Sequence, residues 1–228
     1  LKAGNADQPI STSRGTSPPA AAAQAVSAEL AAMTNHTAAR PAWDFNHVIA
    51  YGQSLSTGWE GWPALSVTQR HDSLMIGNSV RGVGEATREF LPVGEVAFRP
   101  LVATTMGNAS AGTVLDDAAV AVLARGAAAL GETVLEGALD YWRGRQMALR
   151  TARDDGSFAG RLVATACGVG GRSIEQLSLG TGAFNRPRMA AELGRQLAAA
   201  EGGNYGITAL LWLQGEGNSI GNGCTSDR

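Results

Sequence analysis

The chain reads as an α/β fold built on a parallel sheet. Short apolar runs recur at Val48–Tyr51, Ser73–Gly77, Arg161–Cys167 and Ile207–Leu213, each too short for a helix. Helical patterns stand between the later runs, and strands separated by helices call for right-handed crossovers and parallel pairing. Three of the runs end in polar-glycine turns: Gly52-Gln53-Ser54, Gly170-Gly171-Arg172-Ser173 and Gln214-Gly215-Glu216. In a parallel sheet those turns fall on one edge, the edge where such sheets bind ligands.

The 228 residues, 44% of them hydrophobic, suffice for one sizeable α/β domain and a tail. A formal net charge of −2 gives no support for nucleic acid or an anionic membrane surface as partner. No apolar run is long enough to span a bilayer, and no signal-peptide core stands at the N-terminus. The chain starts at Leu1 rather than Met, which suits a processed or trimmed product. Nothing fixes the compartment, with a secreted or periplasmic setting favoured over a cytoplasmic one. Two cysteines, Cys167 and Cys224, are too few for a disulfide framework and lack metal-ligand spacing. They read as free thiols, a disulfide being open only in an oxidising compartment.

Residues 1–42, rich in Ala, Ser, Thr and Pro, read as a flexible segment, and 43–228 as the domain. Asn35-His-Thr37 and Asn108-Ala-Ser110 match the glycosylation acceptor pattern, which counts only in a secreted eukaryotic protein. The first strand, Val48–Tyr51, has a β-branched pair at its head and no polar face, so it is expected to be buried on both sides. Gly52 lets the chain turn tightly and present Ser54. Trp59–Pro63 follows as a loop that walls a site or covers the core. Ser73–Gly77 is a second short strand. Residues 78–112 are irregular, a length that is functional or hides short strands.

Asp116 and Asp117 open an alanine-rich helix to about Ala129, where acidic residues suit the positive end of the dipole. A second helix is expected from Glu132 to about Arg150, its stripe formed by Val134, Leu135, Leu139, Trp142 and Met147. Asp154-Asp-Gly156 turns the chain into the third strand, Arg161–Cys167. Residues 187–201 form a helix with Pro187 in its first turn. Asn204-Tyr-Gly206 leads into the fourth strand, which ends at Gln214.

The three strand-end turns, in this order, resemble those of the SGNH (GDSL-like) hydrolases. The similarity is to the branch containing sialate O-acetylesterases and carbohydrate acetylesterases. Its Gly-Gln-Ser turn is here Gly52-Gln53-Ser54, and its Gly-Gly-polar-Ser-Ile turn is Gly170-Gly171-Arg172-Ser173-Ile174. Its Trp-x-Gln-Gly-Glu block, the most specific of the three, is Trp212-Leu213-Gln214-Gly215-Glu216, followed by Gly217-Asn218. The resemblance covers residues 47 to about 222. It implies a three-layer α/β/α fold with a flavodoxin-like parallel sheet, and hydrolysis of acetyl esters on carbohydrate without a cofactor or metal.

Ester cleavage needs a nucleophile, a base and donors for the developing oxyanion. By resemblance Ser54 is the nucleophile, and its backbone amide, that of Gly171 and the Gln214 side chain form the oxyanion hole. Gln53, Trp59, Arg172 and Asn218 are candidate substrate-binding residues, and Glu216 a structural acceptor. Trp59 and Trp62 suit stacking on a sugar or covering the core. Arg172 suits a substrate carboxylate or a solvated loop position.

The family's late Asp-x-x-His, which supplies base and orienter, has no counterpart in this chain. Residues Gly221–Arg228 stand just after the third block, so the expectation is a family member cut short before its last helix and strand, with weak or no esterase activity. Of the three histidines, His47 and His71 are expected at the sheet edge opposite Ser54, and His36 in the N-terminal segment. Two other readings remain. One is a carbohydrate-binding or structural module that keeps the fold without its base. The other takes Gly168-x-Gly-Gly as a dinucleotide or phosphate loop, against which no acidic residue stands at a strand end about 20 residues on.

Overall fold

The strands, in chain order, are β1 (Phe45–Gly52), β2 (Leu74–Ile76), β3 (Gly82–Val83), β4 (Leu91–Pro92), β5 (Phe98–Pro100), β6 (Arg161–Ala166) and β7 (Tyr205–Leu213). The helices are α1 (Asp117–Ala121), α2 (Val134–Arg153), α3 (Ile174–Leu177) and α4 (Asn185–Ala200). This computed structural model describes residues 41–84, 88–107, 112–153, 159–215 and 218, all within one unit, Ala38–Arg228. Residues 1–40, both glycosylation patterns, His36, the Asp154–Gly156 turn, Glu216, Gly217, Cys224 and the last residues lie outside the described residues.

β1 is buried along its whole length. Its side chains alternate between two faces of the sheet. Val48 and Ala50 join a cluster with Leu135 and Leu139 of α2, together with Leu162 and Ala164 of β6. Ile49 and Tyr51 join another with Leu177, Ala183 and Ala190, the last from α4. A strand covered on both faces needs an unbroken apolar run, and Val48–Tyr51 supplies it. Fully burying one such side chain contributes roughly 1.5–3 kcal/mol.

The main sheet has the order β5-β2-β6-β1-β7. β1 runs parallel to β6, with Phe45 opposite Arg161, and to β7, with Gly52 opposite Leu213. β2 is parallel to β6, whereas β5 is antiparallel to β2. The sheet is therefore mixed and mostly parallel, as an α/β fold requires. β3 and β4 form a separate antiparallel pair, with Gly82 opposite Pro92. Those two strands and β5 lie in the stretch 78–112 that sequence leaves irregular. Each is two or three residues long, too short to register a period.

α1 stops at Ala121, well short of the expected Ala129. Asp116 caps it, accepting a hydrogen bond from the Ala119 amide at 2.8 Å, but none of its residues is buried. A capped turn without an apolar face to pack does not propagate. α4 is held differently. Its buried stripe is Ala190, Gly194 and Ala198, four residues apart, so small side chains let the helix lie close to the sheet. Arg186 and Pro187 in its first turn are buried as well.

Several polar groups are buried within these layers. His47 on β1 is fully buried between Tyr205 Oη (2.6 Å from Nδ1) and Thr165 Oγ1 (2.8 Å from Nε2). Arg143 of α2 meets Asp72 ahead of β2 and Gln146 one turn on. Arg186 donates to the carbonyls of Gly82, Val83, Glu89 and Cys167. Each arrangement answers the cost of taking a polar group out of water.

Candidate functional site

The site is built where β6, β1 and β7 end. Gly52 has φ +141, and a Cβ there would lie 1.8 Å from the Leu213 carbonyl oxygen. Only glycine lets β1 turn while remaining in contact with β7. The Gln53 amide donates to Leu213 O, and the Val169 amide to Gly52 O, each at 3.0 Å. Main-chain hydrogen bonds thus tie the first turn to both others.

A short 3₁₀ turn, Ser54–Thr57, follows. Ser56 is buried and donates its hydroxyl to Gln53 O at 2.6 Å. Thr57 Oγ1 donates to Ser54 O at 2.8 Å, and the Trp59 amide reaches the same oxygen at 3.2 Å. The Ser54 backbone is therefore fixed from its carbonyl side. The Ser54 hydroxyl and amide make no hydrogen bond, and the residue is half-buried. Of the two serines in this turn, Ser54 is the one with a free hydroxyl.

Gly171 has φ +66, and its amide is likewise unclaimed. A Cβ there would meet nothing within 4 Å, so the glycine serves conformation and open access rather than packing. Two donors expected of an oxyanion hole, the Ser54 and Gly171 amides, thus stand without acceptors at one sheet edge.

Gln214 is arranged otherwise. Its Nε2 donates to Arg172 O at 2.9 Å and to Asn218 Oδ1 at 3.0 Å. Both amide protons are used inside the site, so the side chain braces the second turn against the third. The Ile174 amide also donates to Asn218 Oδ1, at 3.0 Å, and Asn218 Nδ2 contacts Glu175 at 3.4 Å. Asn218 belongs to that brace. Gln53 is 2% exposed and lies beneath the turn, whereas Trp59 is 42% exposed beside it. Arg172 is half-buried.

The described histidines stand away from Ser54. His47 precedes Gly52 by five residues, about 16 Å along an extended strand. Burial pushes its imidazole down to about 3, so it is neutral at ordinary pH. His71 lies against Gly144 of α2, just ahead of β2.

Sequence reading does not find what lies behind the turns. Arg81 and Arg186 border a small void together with Thr57 and Gly168. Arg81 donates to Gly131 O and Thr104 O, and burial lowers its guanidinium to about 10, opposed by Glu136. No motif marks either arginine. Tyr51 is missed too. It donates to Leu177 O at 2.8 Å and packs edge-on against Trp212, with ring centroids 5.4 Å apart. Burial pushes its phenol up to about 12.

The glycine loop 168–171 leads into α3, a helix of only four residues. That is a poor match to a dinucleotide loop, which opens a full helix toward the phosphates. Among the described residues no three His, Cys, Asp or Glu side chains are grouped to hold a metal ion. No protein-family model matches the chain, and no curated protein matches it.

Proposed function

We propose that the chain is a serine ester hydrolase of the SGNH kind, similar to carbohydrate acetylesterases, that removes O-acetyl groups from sugars. The observation that carries this is the contrast within one turn. Ser56 is locked to Gln53 O, while Ser54 keeps its hydroxyl and amide free beside the unclaimed amide of Gly171. The strand order supports the same reading. The motif-bearing strands stand as β6-β1-β7, the second-first-third order of a flavodoxin-like sheet, with α2 packed on one face and α4 on the other. On this reading β2 and β5 extend the sheet beyond β6.

The chemistry follows from those groups. Ser54 Oγ attacks the acyl carbonyl, and the tetrahedral oxyanion takes hydrogen bonds from the Ser54 and Gly171 amides. Gln214 keeps the two turns in register. The step also needs a proton acceptor for Ser54, and the described residues hold no histidine at this edge. The expected outcome is that the 228-residue chain turns over acetyl esters slowly or not at all. With imidazole added as the proton acceptor, a fluorophosphonate probe, whose fluoride leaves as Ser54 Oγ bonds to phosphorus, is expected to label Ser54. Labelling read by peptide mass spectrometry should persist in Ser56→Ala and vanish in Ser54→Ala. A label absent from Ser54 in the parent chain with imidazole present rejects the esterase.

A second reading is a carbohydrate-binding module without catalysis. The commitment of both Gln214 amide protons favours it. Sugar binding without any fluorophosphonate labelling selects that reading.

A further inference from the structure

We propose that Arg81 is a positioning residue for Ser54: its guanidinium fixes the segment around Gly131, and that segment fixes the Ser54 turn. The inference rests on the proposed function only for what the turn does, since the hold itself consists of hydrogen bonds.

The main chain brings Arg81 to the end of β6, where Val80 O accepts from the Ala166 amide at 2.7 Å. From there the side chain, only 3% exposed, donates to two segments at once, Nη1 to Gly131 O and Nη2 to Thr104 O. Those segments are also paired with each other. Met106 and Leu130 exchange main-chain hydrogen bonds at 2.7 and 2.9 Å. The Gly131 amide then donates to Gly58 O at 2.8 Å, and a Cβ on Gly131 would lie 2.0 Å from Gly61 O. Backbone thus lies directly on backbone, with no side chain between to take up a shift. Beside Gly58 the turn closes on the nucleophile, through Thr57 Oγ1 and the Trp59 amide, both donating to Ser54 O. A displacement of the guanidinium therefore passes to Ser54 through Gly131 and Gly58.

Holding two carbonyls in a fixed relation calls for a planar group with several donors, which arginine has and lysine lacks. A buried cation also needs an opposite charge. Glu136 of α2, 1% exposed, supplies it, although the two form no ion pair. Burial lowers the guanidinium, and Glu136 opposes that fall. The Glu136 carboxylate is itself held by the amide and hydroxyl of Thr133, two residues past Gly131. Its Oε1 and the Arg81 Nε have no hydrogen-bond partner. Apolar residues of similar volume often stabilise a core at least as well as such a pair, so what the pair adds is a fixed position.

The test reads two quantities: the rate of fluorophosphonate labelling at Ser54 with imidazole present, and hydrogen exchange at the Trp59 and Gly131 amides. Arg81→Met is expected to label about tenfold more slowly, with both amides exchanging about tenfold faster. Arg81→Lys, which keeps the charge and can reach a carbonyl, should return the labelling to within about threefold of the parent. Arg81→Met/Glu136→Gln leaves no uncompensated charge buried and should label as slowly as Arg81→Met, so the test survives if the single variant fails to fold. Arg143→Met removes another buried arginine, beside Asp72 where β2 begins, and controls for lost stability. It should label at the parent rate. Labelling of the double variant at the parent rate overturns the proposal. So does an equal slowing in Arg143→Met, or no recovery in Arg81→Lys. Exchange separates this proposal from the esterase. A parent chain that takes no label, with both amides faster in Arg81→Met, keeps the positioning and removes the esterase. Labelling at the parent rate in Arg81→Met, with exchange unchanged, does the reverse.

Discussion

At the scale of single residues, steric room decides which glycine tolerates a side chain. Gly52→Ala brings a methyl group onto the Leu213 carbonyl at a φ that L residues avoid. It should lower stability by at least ~2 kcal/mol in urea unfolding. Gly171→Ala has the same kind of φ but empty space, so it should cost only about 1 kcal/mol. His47 gives a pH prediction with a definite sign. Burial holds its folded pKa at about 3, below the ordinary value of 6.5, so below pH 6.5 the unfolded chain takes up a proton that the folded one refuses. Stability therefore falls as pH drops from 6.5 toward 3, by roughly 2 kcal/mol at pH 5. Denaturant melts at pH 7 and 5 measure it, and His47→Asn should flatten that interval. Ser54 was legible at this scale because a glycine turn closes an apolar run. The bracing role of Gln214 was not, since the direction of its amide depends on Arg172 and on Asn218, brought alongside only by folding.

Among the elements, the long strands and helices were legible and the short ones were not. β1, β6 and β7 carry mainly apolar runs, and α2 and α4 carry usable stripes. β3, β4, β5 and α3 have two to four residues each, and contacts from elsewhere in the chain stabilise them. Arg186 shows how. From the first turn of α4 it holds carbonyls of β3, of the residue before Phe90 and of the end of β6. Arg186→Met leaves those buried acceptors without their donor, and each lost partner costs about 1–3 kcal/mol. A loss of at least 3 kcal/mol is expected, with the fastest hydrogen exchange appearing in residues 82–92. Exchange unchanged there would show that the hairpin stands without its arginine.

For the whole molecule, the fold class followed from the order of the elements, and the candidate site from three turns that a parallel sheet must bring to one edge. What stayed hidden is the charge behind that edge, because Arg81 and Arg186 become neighbours of the site only through the sheet. The histidine geometry gives one more prediction. With His47 buried and His71 against α2, added imidazole should accelerate acetyl-ester hydrolysis by the chain and have no such effect on Ser54→Ala. Equal acceleration of both proteins would mean that the imidazole acts without Ser54. The place of β1 between β6 and β7 also matters while the chain is being made. Both of its partners lie more than 100 residues downstream. At ~5–20 residues per second, β1 leaves the ribosome roughly 6–20 seconds before β6 is available to pair with it. Throughout that wait, an apolar strand that ends up covered on both faces has neither neighbour, so the nascent chain is most prone to aggregate before β6 has been translated.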